Sequence, residues 1–140
     1  MNPGHYTRNE IFSQPEAWSA GLEVMKGYQP SILGLQPTRD YAQILYTGCG
    51  STYYLALAAA ALTQELIGLS SRAFPASELW LYPRSSYGNR KTMLVAVSRS
   101  GETTETLRAC EAFSGEKRGD LLTLSCRAIL TSITNSPLIT

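Results

Sequence analysis

Two short loops hold the residues whose types and spacing are best suited to chemistry. Loop 1 is Gly48-Cys49-Gly50-Ser51-Thr52, and loop 2 is Ser98-Arg99-Ser100-Gly101-Glu102-Thr103. Each loop follows an apolar run and precedes a segment of helical character. Backbone N–H groups at a helix start carry partial positive charge and lack partners within the helix, so they bind phosphate together with nearby hydroxyl groups. The two loops therefore predict a site for a small phosphorylated ligand.

Loop 2 is the more specific of the two signals. Its three hydroxyl side chains and one glycine, at a single strand-to-helix turn, can surround a phosphate with donors. The alternative interpretation is an ordinary helix start, with Ser100 or Thr103 as the cap and Glu102 in a first turn that favours acidic side chains. Loop 1 alone is a weak signal, because glycine turns after strands are common in α/β folds.

The nucleotide-binding motifs do not fit loop 1. A dinucleotide fingerprint needs a small residue three positions after Gly50, where this chain has Tyr53, and no acidic residue closes the second predicted strand. A Walker A loop needs Gly-Lys-Ser/Thr, which is also absent from the sequence. We therefore expect no nucleotide cofactor.

Side chains suited to catalysis are scarce. Cys49 at a helix start is a conceivable nucleophile, but the sole histidine is His5 near the N-terminus, so no Cys–His pairing is indicated. Glu78 and Glu102 are the carboxylates closest to the predicted site, as general bases or as simple helix-start residues. Three cysteines without CxxC spacing and one histidine predict no metal site.

The elements around the loops alternate between strand and helix, which predicts a three-layer αβα fold with a parallel, flavodoxin-like sheet and right-handed crossovers. The predicted strands are Ile44–Thr47, Ser71–Phe74, Thr92–Ser98 and Leu121–Ser125. The predicted helices are Ser51–Leu66, Ala76–Leu81 and Thr103–Phe113, with a loop over Arg84–Arg90. A strand order of 2-1-3-4 would bring both loops to one crevice at the carboxyl ends of neighbouring strands.

Three regions follow from these patterns. Residues 1–38 form a leader, with a helix that begins near Ser13 or Pro15 and irregular chain from Gly27 onwards. Residues 39–126 form the phosphate-binding domain. Residues 127–140 form a divergent, β-prone tail, and the sheet is expected to be truncated after its fourth strand, although residues 129–133 could pair at the sheet edge.

Composition limits the possible partners and compartments. The 140 residues carry a net charge of +1, which argues against binding nucleic acid or an anionic membrane. The most basic stretch, Arg84–Lys91, is interpreted as solvated loop charge. The longest apolar stretch, Tyr53–Leu62, is too short to span a bilayer, and the N-terminal residues do not form a signal peptide. The expected compartment is the cytoplasm.

The loop sequences resemble those of the sugar isomerase (SIS) domain family. That family typically has Cys-Gly-Thr-Ser after its first strand and Ser-Gln-Ser-Gly-Glu-Thr after its third, and Ala76-Ser77-Glu78 matches its Ala-Ser-Glu between them. The leader resembles the segment before the first SIS module of glutamine–fructose-6-phosphate aminotransferases and related phosphosugar isomerases and deglycases. The resemblance covers residues 5–126.

The resemblance implies which residues bind the phosphate and part of the sugar. They are Cys49, Gly50, Ser51, Thr52, Ser98, Arg99, Ser100 and Thr103. Arg99 stands where the family usually has glutamine, which adds the possibility of a charge-assisted contact. The family's acid/base residues come largely from a second module or a neighbouring subunit and have no counterpart here.

Phosphosugar binding is thus the leading hypothesis, with a homodimer or a second SIS module as the expected partner. The alternatives are an active isomerase or deglycase completed by dimerisation, with Glu78 or Glu102 as the base, and a regulatory module that responds to a sugar phosphate.

Overall fold

The computed structural model describes residues 4–34, 37–117, 119–127 and 138–139. The chain divides into two compact units, residues 1–34 and residues 35–140.

The first unit contains one long helix, α1 (His5–Gly34), and no residue of this helix is buried. The prediction that the helix begins near Ser13 or Pro15 and ends before Gly27 is wrong. The helix continues through Pro15, Gly27 and Pro30, although an interior proline costs about 3 kcal/mol and a glycine about 1 kcal/mol relative to alanine. The hydroxyl of Ser13 donates to the carbonyl oxygen of Glu10 at 3.1 Å within the helix instead of capping its start.

The second unit is built on a parallel sheet of five strands in the order β2-β1-β3-β4-β5. The strands are β1 (Gln43–Gly48), β2 (Ser71–Pro75), β3 (Thr92–Ser98), β4 (Gly119–Ser125) and β5 (Leu138–Ile139). The helices are α2 (Pro37–Asp40), α3 (Ser51–Ile67), α4 (Ala76–Leu81), α5 (Pro83–Tyr87) and α6 (Thr104–Glu116). The expected α/β fold and the order of its first four strands are confirmed.

Helices cover both faces of the sheet. On one face, α3 buries Ala56, Ala60 and Thr63, and the hydroxyl groups of Tyr46 and Thr63 lie 2.7 Å apart. These small residues follow helical spacing and let α3 lie close to the sheet, as the alanine-rich sequence predicts. On the other face, α4 and α6 pack against each other and against the strands.

The main hydrophobic core lies beneath α4, α5 and α6. Leu45, Leu94 and Leu121 are neighbours in register across three strands and therefore point to the same face of the sheet. Leu79 and Phe113 pack on them from the helices and are almost completely buried. This layer holds the strand ends in fixed positions.

Helix ends and loops differ from the predictions in three places. α3 ends at Ile67, one residue beyond the predicted Leu66, and Gly68 follows it in the left-handed conformation, whereas α6 continues past the predicted Phe113 to Glu116 and is followed by Lys117 with φ 51°. Half of the predicted loop after Pro83 is the short helix α5. The sheet does not stop at its fourth strand, because the two-residue strand β5 lies parallel to β4. The suggested edge pairing of residues 129–133 lies outside the described residues.

Candidate functional site

Loops 1 and 2 leave the sheet at the same edge. β1 and β3 are adjacent and parallel, and Thr47 of β1 lies beside Ala96 of β3. Loops 1 and 2 therefore begin within a residue or two of each other along the strand direction, at the carboxyl ends of β1 and β3. This is the position at which parallel α/β sheets bind ligands, next to the point where the strand order reverses.

Loop 1 is closed by the side chain of Thr52. The backbone N–H of Cys49 donates to Thr52 Oγ1 at 3.0 Å, and the same hydroxyl donates to the carbonyl oxygen of Cys49 at 3.0 Å. Thr52 therefore shapes the loop in addition to any contact with a ligand. Ser51 and Cys49 are exposed beside it.

Gly48 is required where loop 1 begins. A Cβ atom at this position would lie 2.6 Å from Thr52 Oγ1 and 2.7 Å from the carbonyl carbon of Thr52. Only glycine allows the first turn of α3 to approach the end of β1 this closely. In the sequence, Gly48 is a turn glycine of a common kind. The need for glycine at this position is visible only in the three-dimensional structure.

The start of α3 is open to a ligand. Gly50 precedes the helix with φ 59°, and no side chain among the described residues caps the helix through a hydrogen bond. The N–H of Tyr53 donates to the carbonyl oxygen of Gly50 at 3.1 Å. The first N–H groups of a helix without a side-chain cap are available to bind an anion.

In loop 2, serine side chains organise the turn. Ser98 is 3% exposed, and its Oγ accepts a hydrogen bond from the N–H of Gly101 at 3.1 Å. The Oγ of Ser100 accepts one from the N–H of Glu102 at 3.2 Å. A hydroxyl has one donor hydrogen as well as two acceptor positions, so each serine that accepts these bonds can still donate to a phosphate oxygen.

The start of α6 is also open. Thr103 occupies the position before the helix, yet among the described residues no side chain makes a capping hydrogen bond there. The alternative interpretation, an ordinary helix start capped by the side chain of Ser100 or Thr103, is therefore not what the structure shows. The N–H of Leu107 donates to the carbonyl oxygen of Thr103 at 3.0 Å, which begins the helical ladder and leaves the preceding N–H groups outside it.

The structure brings the eight predicted binding residues to this one edge, in loops 1 and 2. Arg99 is exposed in loop 2. Glu78 lies in α4, which follows β2 at the same edge, and both Glu78 and Glu102 are exposed. We find no buried carboxylate among the described residues of the two loops.

Ser125 is a further hydroxyl residue at this edge. It ends β4 and lies directly beside Ser98 in register. Its Oγ accepts a hydrogen bond from the N–H of Arg127 at 3.2 Å. Sequence reasoning placed Ser125 at the end of a strand but did not connect it to the site. The sequence does contain a signal for this role, because Ser125 ends the predicted strand Leu121–Ser125 just as Ser98 ends the predicted strand Thr92–Ser98.

The chain has relatives among the glutamine–fructose-6-phosphate aminotransferases. It is 34% identical to that enzyme of Xanthomonas campestris over 129 residues, which are 86% of this chain and 20% of the relative. It is 30% identical to the enzyme of a Nostoc species over 141 aligned residues, covering 95% of this chain and 22% of the relative. The chain thus spans about a fifth of the length of these relatives. No protein-family profile matches it.

Solved structures show the same fold. The tagatose-6-phosphate ketose/aldose isomerase of Escherichia coli superposes with a TM-score of 0.85 at 22% identity, over 97% of this chain and 40% of that one. The C-terminal domain of glucosamine-fructose-6-phosphate aminotransferase from Francisella tularensis gives a TM-score of 0.79 at 20% identity, over 98% of this chain and 39% of that one.

Fold and loops together define a three-layer α/β domain of the sugar isomerase (SIS) type. Within this family, the sequence relationship is to part of the isomerising aminotransferases, so the resemblance that the loop motifs indicated is confirmed.

Proposed function

We propose that this chain binds a phosphorylated sugar in the crevice between loops 1 and 2. The observation that supports the proposal most strongly is the meeting of two helix starts, α3 and α6, at one sheet edge without side-chain caps. Their N–H groups and the loop hydroxyls form a cluster of donors suited to a phosphate. The similar proteins act on hexose 6-phosphates by name, which supports a sugar phosphate as the ligand class.

The loops have separate tasks in this proposal. The phosphate accepts hydrogen bonds from the hydroxyls of Ser98 and Ser100, whose oxygens are already held in place by backbone N–H groups. Thr52 keeps loop 1 closed, and Ser51 faces the ligand from the start of α3. Arg99 adds a positive charge at the rim, which offsets part of the phosphate charge.

Titration of the folded chain with fructose 6-phosphate and glucosamine 6-phosphate tests the proposal. Isothermal calorimetry should give saturable binding, and the Ser98→Ala/Ser100→Ala variant should bind at least tenfold more weakly. Loss of two charge-assisted hydrogen bonds is worth about 3 kcal/mol. Ser114→Ala is the matched control, because Ser114 is an exposed residue near the other end of α6. Unchanged affinity in the double variant would disprove the proposed site.

Catalysis by a completed dimer is the second candidate function. It is favoured by the exposed carboxylates of Glu78 and Glu102 at the same sheet edge as the loops, where either can act as a base on a bound sugar. An aldose–ketose interconversion assay decides between binding and turnover. Activity that disappears in Glu78→Gln or Glu102→Gln, with sugar phosphate affinity retained, supports an isomerase. Tight binding without turnover excludes it for this chain.

A second copy or a second SIS module is the proposed partner, and the outer face of α3 is the proposed contact. Tyr54, Leu55, Leu62 and Leu66 on this helix are 58–77% exposed. A contiguous apolar helix face of this kind is typical of protein interfaces. In sedimentation experiments, Leu62→Glu/Leu66→Glu should shift the chain to monomer, whereas Tyr82→Glu, at an exposed position between α4 and α5, should not. A monomeric wild-type chain would leave only the second module as a partner.

We propose the cytoplasm as the compartment. The three cysteines are free thiols, which supports a reducing environment. Among the described helices, none has both the length and the hydropathy needed to cross a bilayer.

A further inference from the structure

A polar cleft lies at the opposite end of the sheet from loops 1 and 2. It has a volume of about 340 Å³ and is lined by residues near the amino ends of β1, β2 and β3, including Gln43, Ser70, Arg72 and Arg90. β1 runs from Gln43 at this cleft to Gly48 at loop 1, a span of about 17 Å at the usual rise of a strand. A ligand in the cleft therefore cannot touch the ligand of the loops.

Three arginines from separate elements meet at this cleft. Arg72 comes from β2, Arg84 from α5 and Arg90 from the segment before β3. None of the described residues that line the cleft is acidic, and none of the three guanidinium groups is paired with a carboxylate of the described chain. A concentration of positive charge without counter-charge stands out in a chain whose net charge is only +1.

Two of the residues that line the cleft, Arg72 and Gln43, are held in place by contacts within the domain. Arg72 donates to the carbonyl oxygen of Ser86 at 3.1 Å, and its guanidinium carbon lies 5.2 Å from the centre of the Phe74 ring. The amide nitrogen of Gln43, which is 1% exposed, donates to the carbonyl oxygen of Tyr87 at 3.0 Å and to Thr92 Oγ1 at 2.9 Å. A site whose side chains are held before binding loses less conformational entropy when a ligand arrives.

We propose that this cleft is a second anion site, which takes a small phosphate-bearing molecule independently of the sugar phosphate site. Guanidinium groups form paired hydrogen bonds with phosphate oxygens, and three of them match an anion of charge −2 or more. Ser70 lines the same cleft, and its hydroxyl adds a neutral donor. A volume of about 340 Å³ is near the lower limit of small-molecule sites, so the ligand is a metabolite-sized anion.

Inorganic pyrophosphate is the probe for this site. Calorimetric titration of the full chain, at fixed ionic strength and without divalent cations, should show saturable binding. The Arg84→Gln/Arg90→Gln variant should bind pyrophosphate at least tenfold more weakly, while its affinity for fructose 6-phosphate stays unchanged. Both arginines are exposed, so the variant keeps the fold. Arg8→Gln/Lys26→Gln on α1 removes the same charge elsewhere and should leave pyrophosphate affinity unchanged.

The location of binding can be measured directly by backbone amide shifts in NMR spectra. Pyrophosphate should shift the amides of Ser85 and Asn89 in the wild type and in the Ser98→Ala/Ser100→Ala variant. Shifts confined to Gly101 and its neighbours would overturn the proposal, because they would assign pyrophosphate to the loops. Equal affinity in the wild type and the arginine variant, or equal weakening in the α1 control, would also overturn it and leave these arginines as solvated surface charges.

Discussion

At the scale of single residues, the site depends on side chains that hold the loops as much as on those that face a ligand. Thr52 and Ser98 make hydrogen bonds within their own loops at 3.0 Å and 3.1 Å. The sequence alone places these two hydroxyl residues in the loops that we expect to form the site. It does not predict their hydrogen-bond partners, because a hydroxyl near a helix start can cap the helix, close a turn or face solvent.

Gly48→Ala should disrupt loop 1. The added Cβ would lie 2.6–2.8 Å from atoms of Thr52, two of which belong to the backbone, so the start of α3 must shift. We expect a loss of about 1–3 kcal/mol in the free energy of unfolding, measured by urea titration, together with weaker sugar phosphate binding.

Gly115→Ala is the control for that change. Gly115 lies inside α6, and an added Cβ meets nothing within 4 Å. Alanine there should stabilise the protein by up to about 1 kcal/mol, because it favours the helix. Equal stability of the two variants would contradict the steric role of Gly48.

Cys110 should make stability fall in alkaline solution. Burial, and then the nearby charge of Glu111, raises the pKa of this thiol from 9.0 to about 12. Between these two pH values the unfolded chain loses the proton that the native chain keeps, so the free energy of unfolding decreases as pH rises above about 9. The contribution is fully present below that pH.

The Cys110→Ala variant isolates this effect. Relative to the variant, the wild type should lose up to about 1.4 kcal/mol of stability for each pH unit above 9. Urea unfolding at pH 7, 9, 10 and 10.5 measures the difference. Parallel stability curves for the two proteins would show that the thiol does not titrate differently in the native state.

At the scale of elements, the alternation of strands and helices was predictable, and the register of the strands was not. Periodicity and turn residues are local signals, and they located β1, β3 and α3 to within a residue or two. The end of α6 and the full length of α1 were not predicted, because glycine and proline make a helix interior less favourable without excluding a helix.

Gly119→Ala should disturb the pairing of β4 with β3. Gly119 lies beside Thr92, and a Cβ at this position would come within 1.8 Å of the Thr92 carbonyl oxygen. The first residues of β4 must move away, at a cost of about 3 kcal/mol in unfolding free energy. Hydrogen exchange should be faster at the amino ends of β3 and β4, with α3 unaffected. Uniform protection, as in the wild type, would argue against this close contact.

At the scale of the whole molecule, the second unit separates two charged environments by the length of its strands. The sugar phosphate site is proposed at the carboxyl ends and the arginine cleft lies at the amino ends. α3 exposes an apolar face along the side of this unit. The second unit therefore has three distinct surfaces, of which two are the proposed ligand sites and one is the proposed partner contact.

The three cysteines report on this arrangement. Cys49 and Cys126 are exposed, whereas Cys110 lies on the buried face of α6 and is 2% exposed. A thiol reagent at pH 8 should modify two cysteines quickly in the native protein and the third only after unfolding. Saturating fructose 6-phosphate should slow the reaction of Cys49, because Cys49 belongs to loop 1.

The Cys126→Ser variant separates the two rates and leaves Cys49 as the single fast thiol. Mass spectrometry of the labelled peptides measures each rate. Immediate modification of all three thiols would contradict the packing of Cys110, and an unchanged Cys49 rate would place the ligand away from loop 1.

The sequence by itself determined the αβα class, the first four strands and the two hydroxyl loops, because these depend on periodicity and on motifs of neighbouring residues. Only the tertiary structure decided the register of β1 against β3, the close approach of Thr52 to Gly48, and the grouping of Arg72 with Arg84 and Arg90 around one cleft. Contacts of this kind join residues that are separate along the chain. Their formation depends on how strands pair and helices pack, and no local pattern in the sequence records that outcome.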